Sequence, residues 1–554
     1  MSSTTETQPT DEHGRGGRPR RRAGRRWTTV VALALACCLV AAACGDDDGV
    51  SSDATASSSG TAPVTSAAGE PAEDEIDPDG VVRIALYLTE VSFDPATMNS
   101  ANDLMTHAVY GSLLQRTEDG YEPGFATEAT IVDASTIDLE LRDGVVFSDG
   151  TPLDAEAVKL NLERNATLDN ARGMRMELLS ALDRVEVTGP LSARIHLKRP
   201  VVGVFYPLLA DPETTIVSPK AIADGVDLNA NPVGAGAFLL ESAEVDRRVV
   251  LVPNPDYWAA DQVKVAKVEF LALPPGPTAV NALRSGQVDW AVLTPSLAEG
   301  VGDPLVTEFL PHPGMYIVLM CKAKPPLDDV RVREAMMYAM DRDAIAQRVY
   351  GGQSEVAQSL RRTGDRYHNA ELEGLYERDL DKARQLLAEA GYADGFEVGM
   401  YVSGSGANPV VGELLQAQWA EIGIDLSLQV STNPYVDFFI ENRLPLFPTT
   451  KTRLGLDNWT EAVMPGALSN ICKYEHADTI AAAEAAMAAD PDSPAAVEAW
   501  KELSAQVFQD LPFLPMMFHG EVISYNGERI GGVEYWRNTY ANNVPRLDRI
   551  YVKA

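Results

Sequence analysis

Histidine and cysteine are scarce here, seven and five residues in a chain of 554. The histidines stand at 13, 107, 196, 312, 368, 476 and 519, and no two are spaced as ligands on one helix face. That scatter excludes the paired-histidine metal site, so neither a metal nor any other cofactor is expected. The phosphate-cradling glycine loop is missing, as are G-x-S-x-G and H-E-x-x-H. The run GAGAFL from Gly234 lacks the third glycine and the acidic partner of a dinucleotide site, and reads as a tight turn into a strand. The serine-rich SGSGANP at 403–409 reads as a loop at a helix start. Sequence supplies no nucleophile, base and orienting partner together, so no catalytic residue is expected and binding is favoured over enzymatic chemistry.

Positive charge is equally thin beyond the N-terminus. A formal charge of −34 with no basic stripe in the body excludes nucleic-acid binding, which needs cations to displace the counterions of phosphate. The apolar run Val30–Ala43 falls short of the ~20 residues that a membrane span requires. It follows a block of arginines from Arg15 to Arg26, the order of a secretory signal over residues 1–43. The small residues before Cys44 and the GDDDG after it resemble the lipobox of bacterial lipoproteins, which implies that Cys44 is acylated and holds the chain to a membrane. General secretion fits better than a twin-arginine signal at Arg25-Arg26-Trp27. Residues 44–80 then form a tether, too poor in large apolar side chains to offset the entropy of ordering. With Cys37 and Cys38 in the signal, Cys321 and Cys472 are left. They either pair in an oxidising compartment or remain two buried thiols.

What is present from Val81 onward is globular. Hydrophobic residues make up 45% and charged residues 23%, and a chain this long exceeds the ~250–300 residues that one core can organise. Alternation in TIDLEL (136–141) and apolar runs such as VVRIALYL, RVVLVP, KVEFLAL and MYIVLM predict strands. Between them, LDKARQLLAEAG repeats apolar residues at three and four and closes on Gly391, which predicts a helix. VRVREAMMYAMDRDAIAQRVYGG reads as a second helix, methionine-rich and core-filling. Mixed strands and helices imply an α/β protein.

The block LRDGVVFSDGTPLDAEAVKLNLER at 141–164 carries more. Asp143-Gly144 and Ser148-Asp149-Gly150 read as turns around a short strand, and Asp154 as the cap of a helix with Val158 and Leu162 facing the core. Together with FDPA at 93–96, DGYEPGFATE at 119–128, NPVGAGAF at 231–238, NPDYW at 254–258, ALRSGQVDWAVL at 282–293, PPLDDVRVREAMMYAMDRDAI at 325–345 and LLQAQWAEIGIDLSLQV at 414–430, it resembles the extracellular solute-binding proteins of bacterial ABC importers, the family of oligopeptide, dipeptide and nickel binders.

That resemblance implies a periplasmic-binding-protein-like fold (type II, cluster C), two lobes closing like a flytrap with an extra subdomain in the first. Carried onto this chain it gives lobe one at 81–314 with the subdomain near 120–200, lobe two at 315–519, and a return to lobe one at 520–554. It implies capture of a peptide or peptide-like solute, handed to ABC permease and ATPase subunits by a monomer anchored at the outer face of the cytoplasmic membrane. The alternatives are a ligand sensor or scaffold on the same fold, or a binder of a non-peptide solute such as an anion, an oligosaccharide or a nickel chelate. Ligand contacts are expected from TKTRLGLDNWTEAV (450–463), Asp457 toward an amino group, Arg453 toward an anionic group and Trp459 as a stacking ring, and from Tyr435 outside that stretch as a second ring. Phe93 and Tyr316 complete the expected ligand-binding set.

Overall fold

A computed structural model describes residues 75–86, 88, 91–95, 103–117, 120–167, 179–404, 406–433, 435–451, 459–460, 462–467, 469–470, 472, 474–535 and 546–554. Cys44, Arg453 and Asp457 lie outside the described residues, as do the signal and nearly all of the tether.

Strand Val81–Leu86 alternates buried and half-buried positions and lies in parallel between Lys267–Ala272 and Trp290–Leu293. The antiparallel strands Arg248–Pro253 and Phe238–Glu244 extend this half of the sheet to its edge. The other half ends in the parallel pair Phe396–Ser403 and Ile424–Ser431, with helix Asn408–Ala420 as the crossover between them. Strand Leu446–Lys451 lies between Phe396–Ser403 and Leu305–Met320.

The halves are joined by two long antiparallel strands, Leu305–Met320 and Phe513–Asn526. Each serves both. Val522–Tyr525 pair with Trp290–Leu293 on the first-lobe side, whereas Met315–Met320 pair with Leu446–Lys451 on the second-lobe side. The register slips where one side changes to the other: Pro311 faces Gly520, and Met315 faces Phe518. Proline cannot donate to a ladder, so Pro311 and Pro313 favour a break at that point. Gly314 permits the close approach that follows, because a Cβ there would collide with the Lys451 carbonyl.

A separate antiparallel sheet of four strands runs Ala126–Asp133, Thr136–Leu141, Ser192–Leu197, Leu182–Gly189, with helix Ala155–Ala166 packed on it. Asp154 caps that helix, accepting from Ala157 N at 2.9 Å, and buries Val158 and Leu162 completely. Each such side chain contributes about 1.5–3 kcal/mol through burial. Gly144 and Gly150 take positive φ, 77° and 80°, as their Asp-Gly turns require. The short strand expected at 145–147 is instead a small hairpin on itself, with one bridge between Val146 and Pro152. It closes locally because Phe147 N donates to Thr151 O and Leu153 N to Val145 O.

The first-lobe core gathers Ile84, Phe93, Phe238, Phe270 and Trp290, all 0% exposed. A larger core spans the four-stranded unit and the second lobe. Within it the expected methionine-rich helix is two helices, Val330–Ala339 and Arg342–Tyr350. Met340 is extended, and Asp341 starts the second helix by accepting from Ala344 N at 2.9 Å, so a capping carboxylate outcompetes continuation. Among the described residues no helix is long and apolar enough to cross a membrane.

Candidate functional site in the interlobe cleft

Two parallel strands, one per half, end at the same place. Trp290–Leu293 runs into Thr294 and a helical turn at Pro295, and Phe396–Ser403 runs into the loop before helix Asn408–Ala420. In open α/β sheets such carboxyl ends leave crevices for ligands. Here they border a cavity of about 1290 Å³. Lobe one supplies Thr294, Ser296, Glu299 and Glu521; lobe two supplies Gln347, Arg348, Ser403, Asn408 and Thr450; Tyr316, His519 and Gly520 of the joining strands form the floor.

The polar groups of the floor and wall hold one another in place. Tyr316 donates its hydroxyl to Asn408 Oδ1, and Asn408 Nδ2 donates to Ser403 Oγ at 2.7 Å. Tyr350 Oη and His519 Nδ1 are hydrogen-bonded at 2.6 Å. Burial raises both tyrosines well above the ordinary phenol range and pushes His519 down to about 4, so all three rings are neutral at physiological pH. The His312 ring lies 5.4 Å from that of His519, and its Nδ1 accepts from Gly314 N at 2.9 Å.

Charge is distributed by lobe. Arg348, exposed on the last turn of its helix, makes no ion pair with the described residues. Beside it, helix Asn408–Ala420 begins at the cavity without a side-chain cap, so its N-terminal dipole adds positive potential to the second-lobe wall. Glu299 and Glu521 stand on the first-lobe wall.

Of the residues expected from sequence, Tyr316 is brought to the cavity. Phe93 and Trp459 are corrected. Phe93 is 0% exposed in the first-lobe core, and Trp459 is 1% exposed with its ring 5.8 Å from that of Phe513, so both bury their apolar faces in cores. Tyr435 opens a π-helical turn, Tyr435–Ile440. Cys321 and Cys472 are bonded, with Cα atoms 5.1 Å apart, which selects pairing over free thiols. Thr294, Arg348, Ser403, Asn408 and His519 were not anticipated. SGSGANP is indeed the loop at a helix start, and that position is what puts Ser403 and Asn408 on the wall. Among the described residues no group of three His, Cys, Asp or Glu side chains could hold a metal ion.

Comparison with known proteins agrees with this geometry. The model of the bacterial extracellular solute-binding proteins, family 5, matches residues 120–461. The glutathione-binding protein GsiB of Salmonella paratyphi A is 31% identical over 338 residues, 58% of this chain. The match spans 65% of that relative's length, just under two thirds. Among solved structures, DppA from Helicobacter pylori in complex with the peptide STSA aligns with a TM-score of 0.72 and 21% identity, covering 87% of this chain and 99% of that one. The murein tripeptide binding protein MppA of Escherichia coli aligns with a TM-score of 0.72 and 18% identity, covering 87% and 100%. Two mixed α/β lobes joined by a pair of long strands are the type II periplasmic-binding fold that these structures share.

Proposed function

Because the chain belongs to the bacterial extracellular solute-binding proteins of family 5, a family of binders and not of enzymes, we propose that it captures a peptide or peptide-like solute between its lobes and delivers it to an ABC permease. The observation that carries this reading is the polarity of the cleft. Arg348 and the start of helix Asn408–Ala420 suit a carboxylate on one side, while Glu299 and Glu521 suit an amino group on the other. At about 1290 Å³ the cavity exceeds the ~300–1,000 Å³ of ordinary small-molecule pockets and has room for a short peptide. The glutathione-binding relative makes glutathione the first solute to try.

In this reading the lobes are residues 81–314 with 520–554, and 315–519; the slip between Pro311 and Met315 and the step from Phe518 to Gly520 support a hinge there. Closure about that hinge would exclude water from the charged walls and strengthen their grip on the solute. Cys44 would carry lipid at the outer face of the cytoplasmic membrane, with 44–80 as tether, and the protein would act as a monomer beside its permease and ATPase.

Native mass spectrometry of protein from its own cells, followed by calorimetry with glutathione and with free and carboxy-amidated tripeptides, tests the reading. A bound zwitterionic peptide, and loss of binding on amidation, are expected; equal affinity for the amidated form overturns it. Capture of the lipoprotein from membranes should recover permease and ATPase subunits. Recovery of a sensor kinase alone would remove the importer.

A further inference from the structure

We propose that the contact between the segment Val202–Ala210 and the end of second-lobe helix Ala477–Ala488 is a clasp that holds the lobes together and sets how long a solute stays bound; the second half of this statement rests on the cleft being the solute site. Val202–Phe205 is a single helical turn followed by a 3-10 turn, Tyr206–Ala210, and Val202, Phe205 and Leu209 are all 0% exposed. The turn Val202–Phe205 packs on helix Ala477–Ala488, whose Ala482, Ala483 and Ala486 are buried. At the centre, Gly203 rests on the last carbonyls of that helix. A Cβ there would lie 3.0 Å from Ala486 O and Met487 O and closer still to Ala489 O. Space, not backbone conformation, dictates glycine at this point, because Gly203 does not adopt positive φ.

How the four-stranded unit is held decides what the contact can do. Polar bonds fix it to the first lobe. Ser218 Oγ donates to Asp149 at 2.6 Å, Asn161 Nδ2 donates to Val217 O at 2.8 Å while Val217 N donates back at 3.0 Å, and Arg164 pairs with Asp94 at 3.0 Å. Toward the second lobe the Val202–Leu209 segment offers apolar groups. The unit therefore moves with lobe one, and rotation about the joining strands must part Gly203 from Ala489. Apolar contact without directional bonds separates and re-forms without a fixed register, which suits a reversible closure.

Small-angle scattering without solute, and stopped-flow release of glutathione, test the clasp in the full chain. Gly203→Val is expected to shift solute-free scattering toward a more open particle and to raise the glutathione dissociation rate tenfold or more, leaving association within about twofold. A second variant, Gly203→Ala, adds a single Cβ against the same carbonyls and should move both readouts in the same direction by a smaller amount. Unchanged scattering in the folded Gly203→Val protein, or a glutathione dissociation rate within twofold of the parent's in both variants, overturns the clasp. A scattering shift in a protein whose parent does not bind glutathione supports the clasp and overturns glutathione as the solute, so the two failures are separable.

Discussion

The two lobes meet at the joining strands and at the Gly203 contact, and the two meetings are built differently. The strands are covalent and laddered, and their apolar residues enter two cores, Ile317–Met320, Phe513 and Leu514 on one side and Leu310, Ile523 and Tyr525 on the other. The Gly203 contact has no ladder: the turn Val202–Phe205 rests against the carbonyl end of helix Ala477–Ala488. Damage to the first should appear as lost stability, whereas damage to the second should appear as lost dwell time with the fold intact.

The largest expected effect addresses the hinge through pH. Burial pushes His519 on the floor and His107 in the first lobe each to about 4. The folded protein keeps them neutral while the unfolded chain protonates near 6.5, so stability is full above about pH 6.5 and falls as pH drops toward 4. Two shifts of this size amount to about 3 kcal/mol each. Urea titrations from pH 7.5 to 4 should show the decline, and His519→Gln should reduce it without abolishing it, because His107 keeps its own share; a stability independent of pH in that window would contradict both shifts.

Reduction of Cys321–Cys472 releases a loop of 151 residues within the second-lobe segment and should lower stability by about 2–4 kcal/mol, measured by urea unfolding with and without reductant. Gly314→Ala should lose about 2–3 kcal/mol, since the clash is with the Lys451 backbone and a ladder cannot yield as a side chain does. A Gly203→Ala change that destabilised the protein as much as Gly314→Ala would erase the distinction between hinge and clasp. Smallest is Arg348→Ala, which should weaken a carboxylate-bearing peptide by about 1–2 kcal/mol in calorimetry while leaving the melting temperature in place. Retention of full affinity would move the carboxylate site elsewhere on the wall.

Legibility from sequence followed the range of the forces. The Leu141–Arg164 block reads correctly at its turns and at Asp154 because glycine conformation and capping act within four residues. Helix Leu380–Glu389 does so for the same reason: Asp379 accepts from Lys382 N at 2.9 Å, and Gly391 ends the run at φ 91°. The break at Met340 was available in the same terms, in the aspartate of MDRDA, but helical periodicity on both sides of it masked the cap. Phe93 and Trp459 failed for another reason, since an aromatic ring suits a ligand or a core equally and only tertiary burial decides between them. The cleft itself was legible only at Tyr316. Thr294, Arg348, Asn408 and His519 come from four separated segments, and only the strand order of the sheet collects them.

The slip between Pro311 and Met315 also has a use for protein engineering. Met315 and Phe518 are partners in the ladder, so the chain leaves for the second lobe and returns from it one strand spacing apart, about 5 Å. Everything from 315 to 518 is thus a single continuous insert whose two ends are adjacent. A short hairpin turn is long enough to seal the first lobe in its absence, and a foreign domain with neighbouring termini fits the same doorway.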